Sequence, residues 1–290
     1  MSKVVFILGA GASQEAGAPL MADFLDVADE IQEKAKAEID ADSFALVAKA
    51  RSALQSVHSK AFIDLDNIES LFAAFEMAQL FGRKFGSLTE AEIENLGRAI
   101  RRLIVQTLEH QIQLPVEGSG QQQRRVLPPT PYGTFVDALH KRFDMRKRQF
   151  SIITFNYDLA LDYTLNFSGE SIDYCLDPAE STGLPLMKLH GSINWGRCDK
   201  EDCGKIIPWT LSDYFRMRSY LHLYDIKSVR LELARHLREH LHCNRPVQND
   251  PVIVPPTWNK TQHYHQISPV WQRAAQHLSE AEVIVVFGYS

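Results

Sequence analysis

Residues 4–13 have the sequence VVFILGAGAS, in which five apolar residues lead directly into Gly9-Ala10-Gly11. A short apolar run that includes β-branched residues predicts a buried strand of a parallel sheet. A helical pattern follows the glycines, so the strand is predicted to end in a tight turn at a helix N-terminus. Such a turn brings backbone N–H groups close to an anion and predicts a phosphate-binding loop. Gln14 stands where dinucleotide-binding turns carry a third glycine, and a turn without a ligand is the alternative.

Four further apolar segments are predicted to be strands of the same sheet. They span residues 150–155, 185–189, 251–254 and 282–287. Helical patterns separate the strands, and this alternation favours an open parallel sheet with right-handed crossovers. The sequence therefore predicts an α/β protein with a Rossmann-like, doubly wound parallel sheet.

The rest of the chain is predicted to form two additions within one domain. A large helical insertion spans residues 31–147, with helical periodicity throughout residues 43–114. A smaller polar module, predicted to be mostly helical, spans residues 196–249. The Rossmann core then comprises residues 1–30, 148–195 and 250–290. Because the last strand runs into a glycine turn, we expect further sequence after residue 290.

Composition excludes several classes of protein. The chain has 290 residues, of which 45% are hydrophobic, so it can bury a substantial core. A net charge of −5 gives no overall attraction to nucleic acids or anionic membranes. The N-terminus lacks a signal-peptide pattern, no apolar run is long enough to span a membrane, and four cysteines do not indicate a disulfide scaffold. We therefore expect a cytoplasmic protein without membrane or direct nucleic-acid binding.

Polar or glycine-rich residues follow four of the predicted strands. Gly9–Ser13 follows the first strand, Asn156 and Asp158 the second, His190 the third and Gly288–Ser290 the fifth. In doubly wound sheets the ligand binds at the carboxyl ends of the strands, where the chain connections change direction. These residues are therefore predicted to line one crevice. Taken singly, Asn156 or Asp158 could cap the following helix, and His190 could be structural.

These motifs, in this order, resemble those of sirtuins. They are Gly9-Ala10-Gly11-Ala12-Ser13 with Ala16-Gly17-Ala18-Pro19, Thr154-Phe155-Asn156-Tyr157-Asp158, Lys188-Leu189-His190-Gly191-Ser192 and Phe287-Gly288-Tyr289-Ser290. FNYD and KLHGS-x-NW, with Ile253-Val254-Pro255-Pro256 later, are typical of the sirtuin-like NAD-consuming domains of bacterial antiphage defence systems. The resemblance spans nearly the whole chain, although the helical insertion carries no matching motif.

The resemblance implies that NAD is the substrate. Asn156 and Asp158 would hold the nicotinamide ribose and position the nucleophile, and His190 would be the base acting on a ribose hydroxyl or on the attacking water. The loop Gly9–Ser13 would hold the pyrophosphate, and Ser290 would contact the adenosine side. The remaining residues that would contact NAD are Pro19 and Gly288.

The residue types suit cleavage of the nicotinamide–ribose bond. Nicotinamide leaves from a cationic state, so no strong acid is needed. A neutral amide such as Asn156 can orient water without competing as a nucleophile, and a histidine that ionises near neutral pH can accept a proton. Deacylating sirtuins carry a PDFR run after the first glycines, whereas here Pro19 is followed by Leu20-Met21-Ala22. Hydrolysis of NAD is therefore favoured over deacylation.

The predicted function is an NAD glycohydrolase that forms nicotinamide and ADP-ribose and depletes NAD upon phage infection. Two alternatives stay open: a sensor or scaffold that binds NAD or ADP-ribose without turnover, and a protein deacylase. The resemblance also implies a homo-oligomer or an assembly with a partner defence protein, such as a nuclease, helicase or sensor.

The small module stands where the resemblance places a zinc ribbon. A tetrahedral zinc site needs four ligands, usually in two closely spaced pairs. Cys198 and Cys203 are separated by four residues, and Cys243 has Pro246 where its partner cysteine would stand. His240 or His242 could supply a fourth ligand. The incomplete pattern nevertheless predicts a degenerate ribbon without stoichiometric zinc and no metal-ligating residues.

Overall fold

The chain forms two compact units in a computed structural model. The structure describes residues 4–57, 67–82, 84–118, 125–147, 149–177, 182–217, 227–255 and 267–288. The core unit comprises Met1–Ala18, Gln111–Ile253 and His263–Ser290, and the helical unit comprises Pro19–His110 and Val254–Gln262. Within the described ranges, every helix is too short or too polar to cross a membrane.

A parallel sheet of five strands forms the centre of the core unit. Its strands, in spatial order, are β12 (Val283–Phe287), β1 (Val4–Leu8), β4 (Phe150–Thr154), β6 (Leu184–Lys188) and β5 (Ile172–Asp173). Leu8 is in register with both Phe287 and Thr154, so three strands end at the same edge. All residues of β4 and β6 are buried, which is the usual environment of parallel strands. The chain is thus an α/β protein, and its sheet is compatible with a Rossmann-like fold.

Four of the five predicted strands lie in this sheet, but the prediction of a strand at residues 251–254 is wrong. There, Ile253 makes an isolated antiparallel bridge to Gly191. Val252 N–H donates to Trp195 O at 2.8 Å, and Val252 O accepts from Ser192 N–H at 3.1 Å. The backbone of this apolar segment therefore pairs with the turn after β6 and not with the sheet. The unpredicted two-residue strand β5 occupies the sheet edge instead.

Four α-helices account for most of the helical unit. They are α1 (Phe24–Lys34), α2 (Ala41–Val57), α3 (Ile68–Leu80) and α4 (Glu90–Gln111), which ends in the core unit. Glu69 N–H donates to the capping Asn67 Oδ1 at 2.8 Å, and Thr89 with Glu92 forms a reciprocal capping box. The helical periodicity predicted for residues 43–114 is therefore confirmed for α2, α3 and α4, although β2 (Gln113–Glu117) begins before it ends.

The remaining helices belong to the core unit. They are α5 (Thr130–Arg142), α6 (Ala160–Phe167), α7 (Leu211–Met217) and α8 (Ser268–Ser279). The Phe135 ring on α5 lies 5.5 Å from that of Phe6 and 5.2 Å from that of Phe287. This aromatic packing explains why α5 belongs to the core unit, although the predicted helical insertion of residues 31–147 included it. Trp271 on α8 donates its Nε1–H to Leu189 O at 3.0 Å.

Short antiparallel strands replace most of the helix predicted for residues 196–249. β7 (Trp195–Arg197) pairs with β8 (Ile206–Pro208), and β10 (Leu241–His242) pairs with β11 (Arg245–Pro246). β2 pairs with both β3 (Arg125–Val126) and β9 (Ser228–Arg230). A positive φ at both Cys243 and Asn244 forces a hairpin where a helix was predicted. The only helical elements in the described part of this segment are α7 and the 3₁₀ helix Ala234–Glu239.

Candidate active site

The backbone of the loop after β1 lies directly against the backbone at the end of β12. Gly11 N–H donates to Gly288 O at 2.8 Å. A Cβ atom on Gly288 would lie 2.2 Å from Ala12 N, and the φ of Gly288 is +69°. Glycine is therefore required at residue 288, because the two chain segments leave no room for a side chain.

The predicted phosphate-binding loop, Gly9–Ser13, contains the 3₁₀ turn Ala10–Ala12, and a second 3₁₀ turn, Gln14–Ala16, follows the loop. The helix predicted after the glycines is therefore limited to 3₁₀ turns, because Gly17, with φ of +105°, ends the second turn. Four of the five N–H groups of Gly9–Ser13 already donate to backbone carbonyl groups. The exception is Ala10 N–H, which has no acceptor among the described residues. In this conformation the loop offers an anion one N–H group and not the several that the sequence predicts.

Asn156 follows β4, and its amide is held by the loop after β1. Its Nδ2 donates to Gly9 O at 3.0 Å and to Ser13 Oγ at 2.9 Å. Because a backbone carbonyl can only accept a hydrogen bond, the nitrogen of the amide must face Gly9. Both Nδ2 hydrogens are thereby used. Asn156 Oδ1 has no donor in the described part of the chain, so this half-buried residue offers a ligand an acceptor.

Tyr132 on α5 completes this arrangement, and it was not predicted from the sequence. Its hydroxyl lies 2.8 Å from Ser13 Oγ, and both side chains are buried. Burial raises the pKa of Tyr132 above its usual value of 10, so the hydroxyl is neutral and can donate. Ser13 thus connects α5 with Asn156. Since Tyr132 lies 119 residues from Ser13 and carries no motif, only the packing of α5 identifies it.

Asp158 is buried between two hydrogen-bonding partners of the protein itself. Its Oδ1 accepts from the N–H of Ala160, the first residue of α6, at 2.9 Å, and Ser13 also hydrogen-bonds to the carboxylate. Burial raises the pKa of Asp158, although the nearby positive charge of Lys188 and the Ser13 hydrogen bond act in the opposite direction. The carboxylate therefore supports the Asn156 segment from within the protein.

A buried ion pair fixes the backbone of the same segment. Lys188 Nζ lies 3.0 Å from Asp162 Oδ2, and both side chains are at most 2% exposed. Lys188 also donates to the backbone O of Asp158 at 2.5 Å, and Tyr174 donates its hydroxyl to Asp162 Oδ1 at 2.6 Å. These additional bonds meet the condition under which a buried pair can offset its desolvation. The network joins β6, α6 and the residues after β4.

His190 follows β6, which is the neighbour of β4 in the sheet. Its half-buried ring lies 5.2 Å from the Phe155 ring and 5.9 Å from the Tyr157 ring, and these two residues flank Asn156. A Cβ atom on the next residue, Gly191, would lie 2.1 Å from Val252 O. The close backbone approach at Gly191 therefore explains the glycine that follows His190.

The carboxyl edge of the sheet brings together most of the predicted site residues. Gly9–Ser13, Asn156, His190 and Gly288 follow β1, β4, β6 and β12 respectively. Connections leave β1 towards β4 on one side and return to β12 on the other, which makes this edge the switch point of the sheet. Of the other predicted residues, Pro19 begins the helical unit and Ser290 lies outside the described residues.

A second group of reactive side chains lies among the short strands that follow β6. The potential ligand atoms of Cys198, Cys203, His242 and Cys243 all lie within 4.8 Å of one another. Of the two histidines that the sequence left open, the structure brings His242 to the cysteines.

Comparison with known proteins gives no assignment for this site. No model of a known protein family matches the chain, and no curated protein sequence matches it. Its chemistry must therefore be inferred from the residues themselves.

Proposed function

We propose that the chain is a sirtuin-like enzyme that hydrolyses NAD to nicotinamide and ADP-ribose. The observation that carries this proposal is the fixed amide of Asn156. Both Nδ2 hydrogens are bound to the loop after β1, so Oδ1 remains an acceptor at the switch point of a parallel sheet. An acceptor at this place suits a ribose hydroxyl or a water molecule.

Asn156 and His190 have different roles in the proposed reaction. The bond between the ribose C1′ and the nicotinamide nitrogen breaks, and its electron pair leaves with nicotinamide. Asn156 Oδ1 accepts a hydrogen bond from the attacking water or a ribose hydroxyl and so sets its position. The water oxygen bonds to C1′, and the proton that it loses passes to His190 as general base. The nearby Phe155 and Tyr157 rings support a fixed place for the imidazole.

The glycines support the proposal mainly because they lack a side chain. The loop that they form offers a ligand only one N–H group. Gly11 and Gly288 allow the chain segments that follow β1 and β12 to lie against each other at the carboxyl edge of the sheet. In the proposed complex, Ala10 N–H donates to the pyrophosphate, because it has no acceptor among the described residues. Asp158 contributes by holding Ser13 and α6, and with them the Asn156 segment.

The biological setting of the proposal comes from the resemblance. It favours depletion of NAD in antiphage defence, in a homo-oligomer or together with a nuclease, helicase or sensor. A change at the segment after Pro19 disfavours deacylation, since the phenylalanine and arginine of deacylases are replaced.

The test is chromatography of the products that the purified chain forms from NAD, with and without an acetylated peptide. We expect nicotinamide and ADP-ribose in equal amounts, with the peptide unchanged. Deacetylated peptide would identify a deacylase, and NAD binding in calorimetry without any product would identify a sensor. Asn95→Ala is the matched control for an asparagine variant, because Asn95 is exposed on α4 and its side chain bonds only to Ala91 O among the residues that the structure describes.

A further inference from the structure

Three thiols and one imidazole converge in the segment that follows β6. The ligand atoms of Cys198, Cys203, His242 and Cys243 lie within 4.8 Å of one another, and His242 Nδ1 lies 3.8 Å from Cys203 Sγ. In tetrahedral zinc sites, bonds of ~2.0–2.3 Å place neighbouring ligand atoms roughly 3.5–3.8 Å apart. We propose that these four residues bind one zinc ion, with His242 as the fourth ligand.

The first two ligands lie in the connection between β7 and β8. Cys198 N–H donates to Lys205 O at 2.8 Å, and Cys203 N–H donates to Lys200 O at 2.9 Å. The φ of Gly204 is +55°, which lets the chain turn back into β8 directly after the second cysteine. This closed connection keeps the two thiols together despite the four residues that separate them.

The other two ligands come from the hairpin of β10 and β11. His242 pairs with Arg245, so Cys243 and Asn244 form the two-residue turn. Their φ angles of 52° and 58° are those that the hairpin turn requires. A positive φ is uncommon for cysteine, and such conformations persist where other interactions enforce them. A metal bond to the Cys243 thiol is an interaction of this kind.

Backbone contacts already join the two pairs of ligands. Cys198 makes an antiparallel bridge to Val247, which follows β11. Gln248 N–H donates to Arg197 O at 2.8 Å, and Cys198 Sγ lies 3.9 Å from His242 O. The site is thus assembled from segments that are far apart in sequence but bonded to each other.

The hairpin of β10 and β11 has little apolar packing of its own. Leu241 is 61% exposed, and both residues of β11 are exposed. An isolated two-stranded hairpin is at best marginally stable in water, and a structural zinc ion supplies folding energy directly. Zinc therefore gives this small segment the stability that its buried surface does not.

His240 is excluded as the fourth ligand by its own packing. Its ring is stacked on the Trp209 ring at 5.9 Å, with an angle of 13° between the two planes. His242 is two residues further along and is the histidine that reaches the thiols. The His242-Cys243 pair therefore takes the place of the second cysteine pair that a zinc ribbon usually has.

The ligand set determines the chemistry. On binding, the three thiols lose their protons to solvent, and Zn²⁺ keeps its oxidation state, so no oxidant or reductant takes part. Four protein ligands leave no open position for water or a substrate, which assigns the zinc a structural role. This inference does not depend on the proposed hydrolysis of NAD.

The first test is metal analysis of the full chain, purified with a reductant and without a chelator. We expect one zinc per chain in the unmodified protein, in His240→Gln and in the thiol control Cys175→Ser. Cys198→Ser and His242→Gln should retain less than about a tenth of the zinc, since three ligands cannot complete a tetrahedral structural site. Zinc that is kept by His242→Gln and lost from His240→Gln would overturn the choice of histidine.

A second measurement uses the unmodified chain, so its result does not depend on whether the variants fold. Replacement of the metal by Co²⁺ should give the visible bands of tetrahedral cobalt together with thiolate charge-transfer absorption. Removal of the metal should make three further thiols per chain reactive. An unmodified chain that contains no zinc and gives no thiolate–cobalt spectrum would refute the site, as would a disulfide within the cluster under reducing conditions.

Discussion

The side-chain amide of Asn156 donates to the hydroxyl of Ser13 at 2.9 Å, across 143 residues of sequence. Ser13 is almost fully buried, and its hydroxyl also lies 2.8 Å from that of Tyr132. The position of Asn156 is therefore set by the loop after β1 and by α5 as well as by its own strand. A rigid support of this kind is what an amide needs to hold water or a ribose hydroxyl in a reactive position.

Asn156→Ala should reduce NAD cleavage by about a hundredfold or more, because the acceptor that positions the nucleophile is lost. NAD affinity should change little, since Gly11 and Gly288 still shape the loop. Product formation and calorimetric binding are measured side by side, with Asn95→Ala as the matched control. Unchanged cleavage would refute the role of Asn156.

His190→Ala should lower the rate of cleavage by about a hundredfold to ten-thousandfold, the usual effect of losing a general base. The double variant with Asn156→Ala should be little worse than either single variant, because both residues act on the same water or hydroxyl. Full activity in His190→Ala would show that His190 is not the general base. Loss of NAD binding together with activity would indicate a structural histidine.

Tyr132→Phe should lower kcat about threefold to tenfold, which is the value of one buried hydrogen bond. The Ser13 hydroxyl loses a neighbour, so Asn156 becomes less firmly held, while the contacts that bind NAD remain. KM should therefore stay within about twofold, in keeping with a loss of positioning only. Tyr163→Phe is the matched control, because Tyr163 donates to Val126 O outside the site. Equal effects of the two variants would show a general loss of stability instead.

The strands of the sheet could be predicted from the sequence because burial on both faces leaves continuous apolar runs. β1, β4 and β6 are largely buried strands of this kind, and β12 carries a similar apolar run although Val283–Val286 are exposed. Residues 251–254 carry the same signature but pair with the turn around Gly191, so apolar character alone did not identify their partner. The two residues of β5 are too few to produce any pattern.

The sequence could predict the candidate site only where its residues lie close together in the chain. Glycines at strand ends mark close backbone approaches, which is why Gly11 and Gly288 were found. The sequence does not predict Tyr132 as a site residue, because its role depends on the packing of a helix far along the chain. The spacing of Cys198, Cys203 and Cys243 predicts no zinc site, because a hairpin that places His242 beside Cys243 does not follow the usual pattern of paired cysteines.

The raised pKa of Asp158 leads to a prediction about stability. Burial raises this pKa above the ordinary value of 3.8, so the native state binds the proton more tightly than the unfolded chain. As pH rises from 3.8 through the native pKa, the contribution of Asp158 to the free energy of unfolding falls, and the penalty is complete above that range. Asp158→Asn removes the charge and retains an oxygen that can accept from Ala160 N–H. The variant should therefore be more stable than the parent at pH 7, and this difference should vanish below pH 3.8.

Asp162→Asn is the matched control for Asp158→Asn and should have the opposite effect. Asp162 pairs directly with Lys188 at 3.0 Å, so the substitution leaves a buried ammonium group without its counter-charge. Breaking a buried pair in this way costs about 3–5 kcal/mol. Urea unfolding of the parent and both variants at pH 7 measures the two effects. Destabilisation by Asp158→Asn equal to that by Asp162→Asn would show that Lys188 depends on both carboxylates, and that the Asp158 charge stabilises the fold.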